Sequence, residues 1–125
     1  VVDLVLLKRI IDLEYACISS DSIISRGKLR AFLIDGSFVD VWFSQKIPGR
    51  FSYHWERRHI DGSMYRHDNF PDINWQRIST YPKHFHNGSQ DAVEASHIQD
   101  NPAAGLNQFM EFVRRKLAKD GAEIP

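Results

Sequence analysis

The chain has one cysteine, Cys17, and a lone thiol has no intramolecular partner and cannot anchor a multi-cysteine zinc knuckle. A disulfide-stapled scaffold is therefore excluded, and a reducing, cytoplasmic setting is expected. No apolar run approaches the ~20 residues that cross a bilayer, so no membrane role is expected. The apolar opening Val1 to Leu7 does not read as a signal peptide, because Lys8 and Arg9 follow it instead of preceding it and no small-residue cleavage site comes after. Neither sign of charge is in excess: 16 Lys and Arg stand against 16 Asp and Glu, which argues against a protein that coats nucleic acid through its net charge. Gly27, Gly49, Gly62 and Gly88 stand alone, so there is no phosphate-cradling glycine loop. Repeats and low-complexity tracts are absent as well.

What is there is an ordinary globular composition, 42% hydrophobic and 26% charged over 125 residues, enough for one domain, 1–125, with its own core. Leu4, Leu7, Ile11, Tyr15 and Ile18 recur at helical spacing and predict a first helix over 2–18. Ser19 to Ser22 then reads as a loop, since these side chains compete for backbone hydrogen bonds. Strands are expected at 28–34, 37–44, 51–58 and 63–69, rich in Val, Ile, Phe, Trp and Tyr. Asp35-Gly36 and Asp61-Gly62 each suit a two-residue hairpin turn. Gln76 to Tyr81 reads as a short extended piece and Val93 to Ile98 as an edge strand. Pro102 opens a last helix with Leu106, Phe109, Met110, Val113 and Leu117 on one face, and Gly121 sits where a C-cap would. The expected fold class is α+β: an antiparallel meander of four or more strands, with an N-terminal and a C-terminal helix packed on one side.

All six histidines lie between positions 54 and 97, outside both predicted helices. Residues 46–86 also carry seven Lys or Arg against four acids, so the zero net charge conceals a basic, histidine-rich middle. A two-residue turn at Asp61-Gly62 would set His54 opposite Asn69 and Glu56 opposite His67. On the other face it would set Trp55 opposite Asp68 and Arg57 opposite Arg66, and two facing arginines point to an anion between them. Arg57, Arg58, Arg66 and Lys83 are then expected to form one basic patch. His84 and His86 form an H-x-H pair whose rings share a face if the backbone is extended, about 6 to 7 Å apart. Such a pair can act as acid and base near neutral pH or chelate a metal. A zinc site would need further ligands, for which His54, His67 or Asp68 are available, yet no standard zinc spacing is present. Phe51, Tyr53 and Trp55 alternate as a core face, and Cys17 falls in the helical stripe as a small hydrophobe.

Tyr53-His54-Trp55, Asp61-Gly62, Arg66-His67-Asp68-Asn69-Phe70-Pro71 and Tyr81-Pro82-Lys83-His84-Phe85-His86-Asn87-Gly88 together resemble the TumE family, toxins of bacterial and archaeal toxin-antitoxin pairs. The resemblance runs from about Gly27 to Ile98 and picks out His54, Arg66, Asp68, Asn69, Pro71, Pro82, His84, His86 and Gly88. The chain departs from the family pattern at His67, Asp72, Ile73 and Lys83. The resemblance implies a ribonuclease-like toxin that acts on RNA, needs no cofactor or metal, and is neutralised by a cognate antitoxin with a helix-turn-helix domain. It leaves a homodimer open. In that reading His84 and His86 act as base and acid with His54 as a rival, and Arg66 and Lys83 bind phosphate. Asp68 orients Arg66 or a histidine, and Arg57, Arg58 and Asn69 contact substrate. The alternatives are a non-catalytic RNA- or protein-binding module and a metal-dependent hydrolase centred on the H-x-H pair.

Overall fold

A computed structural model describes residues 2–124. Helix α1 spans Leu4–Glu14, and the Asp3 carboxylate caps it by accepting from the backbone N–H of Val5 and Leu6. It stops short of the 2–18 expected. Ser19 to Ser22, expected as a loop, belongs instead to strand β1, Ser19–Ser25, which pairs antiparallel with β2, Lys28–Leu33. The connection is Arg26-Gly27, both at positive φ, a two-residue turn of the kind that matches strand twist. Arginine in that conformation carries no turn signal. β1 is an edge strand in which Ser19 and Ser22 alone are buried, so it lacks the apolar alternation by which a strand is read from sequence.

Strand β3, Phe38–Phe43, follows a three-residue connection, because Leu33 N–H donates to Ser37 O. Gly36 alone takes the left-handed conformation there, so Asp35-Gly36 is not the two-residue turn expected. The Asp35 carboxylate accepts from Ser37 N–H and Oγ–H and closes the loop. Between β4, Phe51–Arg57, and β5, Ser63–Asp68, lies the helical turn α2, Arg58–Asp61, ended by Gly62 at φ 81°. Arg57 therefore pairs with Ser63 and His54 with Arg66. This overturns the expected register, and none of the pairs His54–Asn69, Glu56–His67, Trp55–Asp68 or Arg57–Arg66 forms. The displacement is an odd number of residues, so it moves each expected partner to the other face.

After a 3₁₀ turn at Ile73–Trp75, β6 (His84–Gly88) and β7 (Val93–Ala95) complete a seven-stranded antiparallel sheet in sequential order. Gln76 to Tyr81, expected as extended, forms turns. Helix α3, Pro102–Lys119, begins at the Asn101 cap with Pro102 in its first turn, and Gly121 follows its end at positive φ. Both helices pack on one face of the sheet, where Leu7 and Ile11 of α1 and Leu106, Phe109, Met110, Val113 and Leu117 of α3 meet Leu29, Val41, Tyr53 and Trp55. The buried Trp55 indole N–H donates to Ser37 Oγ, so the core carries no lost donor there. α3 lies close against the sheet at Gly105, where a Cβ would lie 2.6 Å from Tyr53 Oη. Among the described residues no α-helix packs on the opposite face of the sheet, and there the polar members of the alternation collect. No helix among the described residues is long and apolar enough to cross a membrane.

His67 lies on the core face. Its ring stacks on Phe85 with centroids 4.1 Å apart, and Nδ1 sits 2.7 Å from Ser96 Oγ. Burial, with help from the Lys83 charge, pushes its pKa down to about 3. Unfolding returns the imidazole to about 6.5, so between these values the unfolded chain binds the extra proton. Folding stability should then be full above about pH 6.5 and fall as pH drops toward 3, by at most about 1.4 kcal/mol per pH unit from this residue. Denaturant midpoints measured from pH 7 to 4 check this. His67→Phe should flatten the slope, and an equally steep slope in that variant would place the acid sensitivity elsewhere.

Candidate active site

Strand register sets one polar row across the open face: Arg30, Asp40, His54, Arg66 and His86, each paired with the next. A second row holds Ser52, Asp68 and His84. Period-two alternation puts all of these side chains on the face away from the helices. The segment after β5 folds back over this face, with Phe70 stacked on Trp42 at 5.6 Å and Trp75 within 6.3 Å of both His84 and His86. Two adjoining cavities of about 480 and 270 Å³ result, sharing Ser52, Arg66 and Phe70 as common walls. They make one groove with Arg66 at its midpoint.

The Arg66 guanidinium is held on every side. Nε donates to Asp68 Oδ2 at 2.9 Å and Nη2 to Gln90 Oε1 at 2.9 Å. Nη1 lies 3.4 Å from His54 Nδ1 and Nη2 lies 3.3 Å from His86 Nε2. An arginine has only donors, so both histidine nitrogens face it with lone pairs. The other nitrogen of each ring agrees. His54 Nε2 lies 3.0 Å from Glu56 Oε1, and His86 Nδ1 lies 2.8 Å from the Gln90 carbonyl, partners that accept a proton and cannot supply one. Burial pulls the pKa of both His54 and His86 below 6.5, against the hydrogen bonds that the rings donate to Glu56 and to Gln90 O, which favour the charged form. Arg58 grips Glu56 through its guanidinium and its backbone N–H, and holds that carboxyl down at about 2. Glu56 is thus an anion across the working pH range and keeps His54 in the tautomer with Nδ1 open to the groove.

His84 repeats the pattern of His86. Nδ1 donates to the Pro82 carbonyl at 2.8 Å, and Nε2 lies 3.3 Å from Asp68 Oδ1. Asp68 is buried, accepts from Phe70 N–H as well as from Arg66, and faces both imidazoles of the H-x-H pair. Asp68, His84 and His86 bring one donor atom each to within 4.8 Å of the others.

Five candidates therefore converge: His54, Arg66, Asp68, His84 and His86. The remaining ones do not share one patch. Arg57 lies on the helix-covered face, 4% exposed, between Asp35, Asp61 and Asp120. Lys83 turns to that same side and donates to Ile98 O at 2.6 Å. Arg58 lines neither cavity and is paired with Glu56, behind His54. Asn69 braces the loop before β4, accepting from Phe51 N–H and donating to Gly49 O. The basic patch expected of Arg57, Arg58, Arg66 and Lys83 is split between the two faces. His67 is in the core, and His59 contacts Gly36 O beside Phe38. Sequence reasoning missed Glu56, Asp40, Trp42, Trp75 and Gln90 as parts of this site. His54-x-Glu56 was open to discovery, since residues two apart in a strand share a face; Gln90 and Trp75 sit in loops and carried no such signal.

An antiparallel sheet with helices on one face and a histidine-arginine groove on the other defines an α+β protein with a polar cleft. The family profile described as Toxin TumE matches residues 5–117, and the chain belongs to that family. Comparisons with curated proteins and with solved structures find no match. Membership suggests a toxin role and implies a cognate antitoxin.

Proposed function

We propose that the toxin cleaves RNA in the groove by transfer of the phosphodiester to the neighbouring 2′-hydroxyl. His54 Nδ1 takes the 2′-proton, the 2′-oxygen attacks phosphorus, and the bond to the 5′-oxygen breaks. That leaves a 2′,3′-cyclic phosphate and a 5′-hydroxyl. Arg66 holds the phosphate and stabilises the charge that builds on its oxygens. Asp68 fixes the guanidinium in that orientation, and Glu56 fixes His54. The 5′-oxygen departs on the far side of the guanidinium, toward the Asp68, His84 and His86 cluster, and takes its proton from His84 in its protonated form, which carries Nε2–H against Asp68 Oδ1 and is left neutral. Trp42, Phe70 and Trp75 offer flat faces along the groove for unpaired bases.

The observation that carries this reading is the position of one guanidinium between two imidazole nitrogens, 3.4 and 3.3 Å away, on the floor of an open groove. In the same reading the protein works in the cytoplasm, where RNA is its substrate, and the antitoxin carries a helix-turn-helix domain and blocks the groove or its approaches.

Antitoxin-free protein incubated with RNA should yield fragments ending in cyclic phosphate and should leave DNA of the same sequence intact. Since His54 titrates below 6.5, the acid limb of the rate profile should lie below that value. Equal cleavage of DNA would remove the 2′-hydroxyl from the mechanism. RNA binding without cleavage would make the protein a non-catalytic RNA module.

A further inference from the structure

We propose that Asp68, His84 and His86 form a binding site for one divalent first-row transition ion of the zinc or cobalt kind. The proposal does not depend on RNA cleavage, for which His54 and Arg66 are the test residues.

Three features of the cluster converge on an ion. Both imidazoles donate Nδ1–H to a backbone carbonyl, Pro82 O and Gln90 O, each at 2.8 Å. Carbonyls only accept, so each neutral ring must carry its lone pair on Nε2, which is the tautomer and the outer hydrogen bond that metal-ligating histidines have. Those two lone pairs point at a carboxylate, which also only accepts. Arg66 Nη2 approaches His86 Nε2, but among the described residues nothing donates between His84 Nε2 and Asp68 Oδ1, 3.3 Å apart. A metal cation between them removes that conflict, standing in place of the proton that the same cluster gives up in the cleavage reading.

The spacing also fits. Around a tetrahedral ion with bonds of ~2.0 to 2.1 Å, neighbouring donor atoms sit about 3.3 Å apart. Asp68 is already 3.3 Å from His84 Nε2 and 3.7 Å from His86 Nε2, and all three donors lie within 4.8 Å. Small side-chain rotations close the remainder.

The scaffold is rigid and nearly dry. Asp68 and His84 are register partners on adjacent strands, His86 is two residues along the same face, and each is at most 4% exposed. Two imidazoles with one carboxylate suit zinc, cobalt, nickel and iron(II) more than magnesium or calcium, which prefer all-oxygen sets. The 270 Å³ part of the groove opens onto the cluster, leaving space for water or a phosphate oxygen on the fourth side. Arg66 keeps its bonds to Asp68 Oδ2 and Gln90 Oε1 as the outer support of the carboxylate, and its Nη2 yields the His86 lone pair to the ion.

The test uses the whole chain, stripped with chelator and titrated with Co²⁺ and Zn²⁺. One equivalent of Co²⁺ should bind and develop the visible bands of a tetrahedral or five-coordinate ion, and Zn²⁺ should displace it. Asp68→Asn, His84→Gln and His86→Gln should each weaken binding at least tenfold, while His59→Gln and His97→Gln should leave it unchanged. A second reading works on the unaltered protein, in case a variant fails to fold. On Zn²⁺ addition the imidazole ¹⁵N signals of His84 and His86 should shift at Nε2, and those of His54 should not lose their Nε2 proton. Absence of stoichiometric binding in the wild type overturns the site. So does binding that survives all three substitutions, or a shift confined to His59 and His97.

Discussion

Replacing Arg66 with alanine should lower the single-turnover rate of RNA cleavage about a thousandfold, the upper scale for losing one charge-stabilising group. Among the described residues the guanidinium is the one group hydrogen-bonded to both His54 and His86, and in the proposed mechanism it is the cation that meets the phosphate on the groove floor. Its loss removes the phosphate contact and frees Asp68, whose Oδ2 it holds at 2.9 Å. Arg66→Lys separates the two effects: a lysine restores charge but cannot contact Asp68, Gln90 and phosphate together, so most of the loss should persist. His54→Ala should cost on the order of a hundredfold or more, as a general base does. Rates, melting temperature and RNA affinity measured on all three variants check the assignment. Cleavage by Arg66→Ala at the wild-type rate would take the guanidinium out of the chemistry altogether.

Arg57→Ala should destabilise the fold by about 2 to 4 kcal/mol without a matching loss of RNA affinity per folded molecule. Arg57 is the buried hub of an ion cluster, 3.2 Å from Asp35 and Asp61 and 2.9 Å from Asp120, with its guanidinium 4.7 Å from the centre of the Trp55 ring. Truncation leaves three carboxylates facing one another beside the core. Asp61 and Asp120 keep partial contact with water, which holds the cost below that of a fully enclosed pair. Arg57→Met fills the volume without the charge and should recover little, because the acids remain unpaired. Urea denaturation gives the stability difference, and titration with RNA at low salt gives the affinity. A variant of normal stability that no longer binds RNA would return Arg57 to the substrate, as the sequence alone suggested.

Arg57 also shows where reading the sequence reached its limit. Its neighbours Arg58 and Arg66 are on the groove side, and a surplus of charge along 46–86 cannot say that alternate residues of β4 face opposite ways from a given starting point. The register of the β4–β5 hairpin decides that, and it turns on one local choice. Asp61-Gly62 matches a two-residue turn in composition, yet Arg58 to Asp61 coil into a helical turn, with Glu56 accepting from Arg58 N–H and Gly62 N–H donating to Arg58 O. Both conformations use the same glycine at positive φ. The pairing of His54 with Arg66 follows from the second.

From the sequence by itself came the α+β class, the meander, both helices with the apolar faces that join the core, and the family, because hydrophobic period and a string of specific residues are local properties. His54, Arg66, Asp68, His84 and His86 were legible as chemistry for the same reason. Only the tertiary structure decided which of six histidines lie together, since β5 brings Arg66 between β4 and β6 and sends His67 to the core instead. It alone supplied Glu56, Gln90 and the Pro82 carbonyl as the partners that set each imidazole's tautomer, contacts made across strands and loops. Tautomer and proton affinity depend on distances of about 3 Å between residues far apart in the chain, and no composition or spacing encodes them.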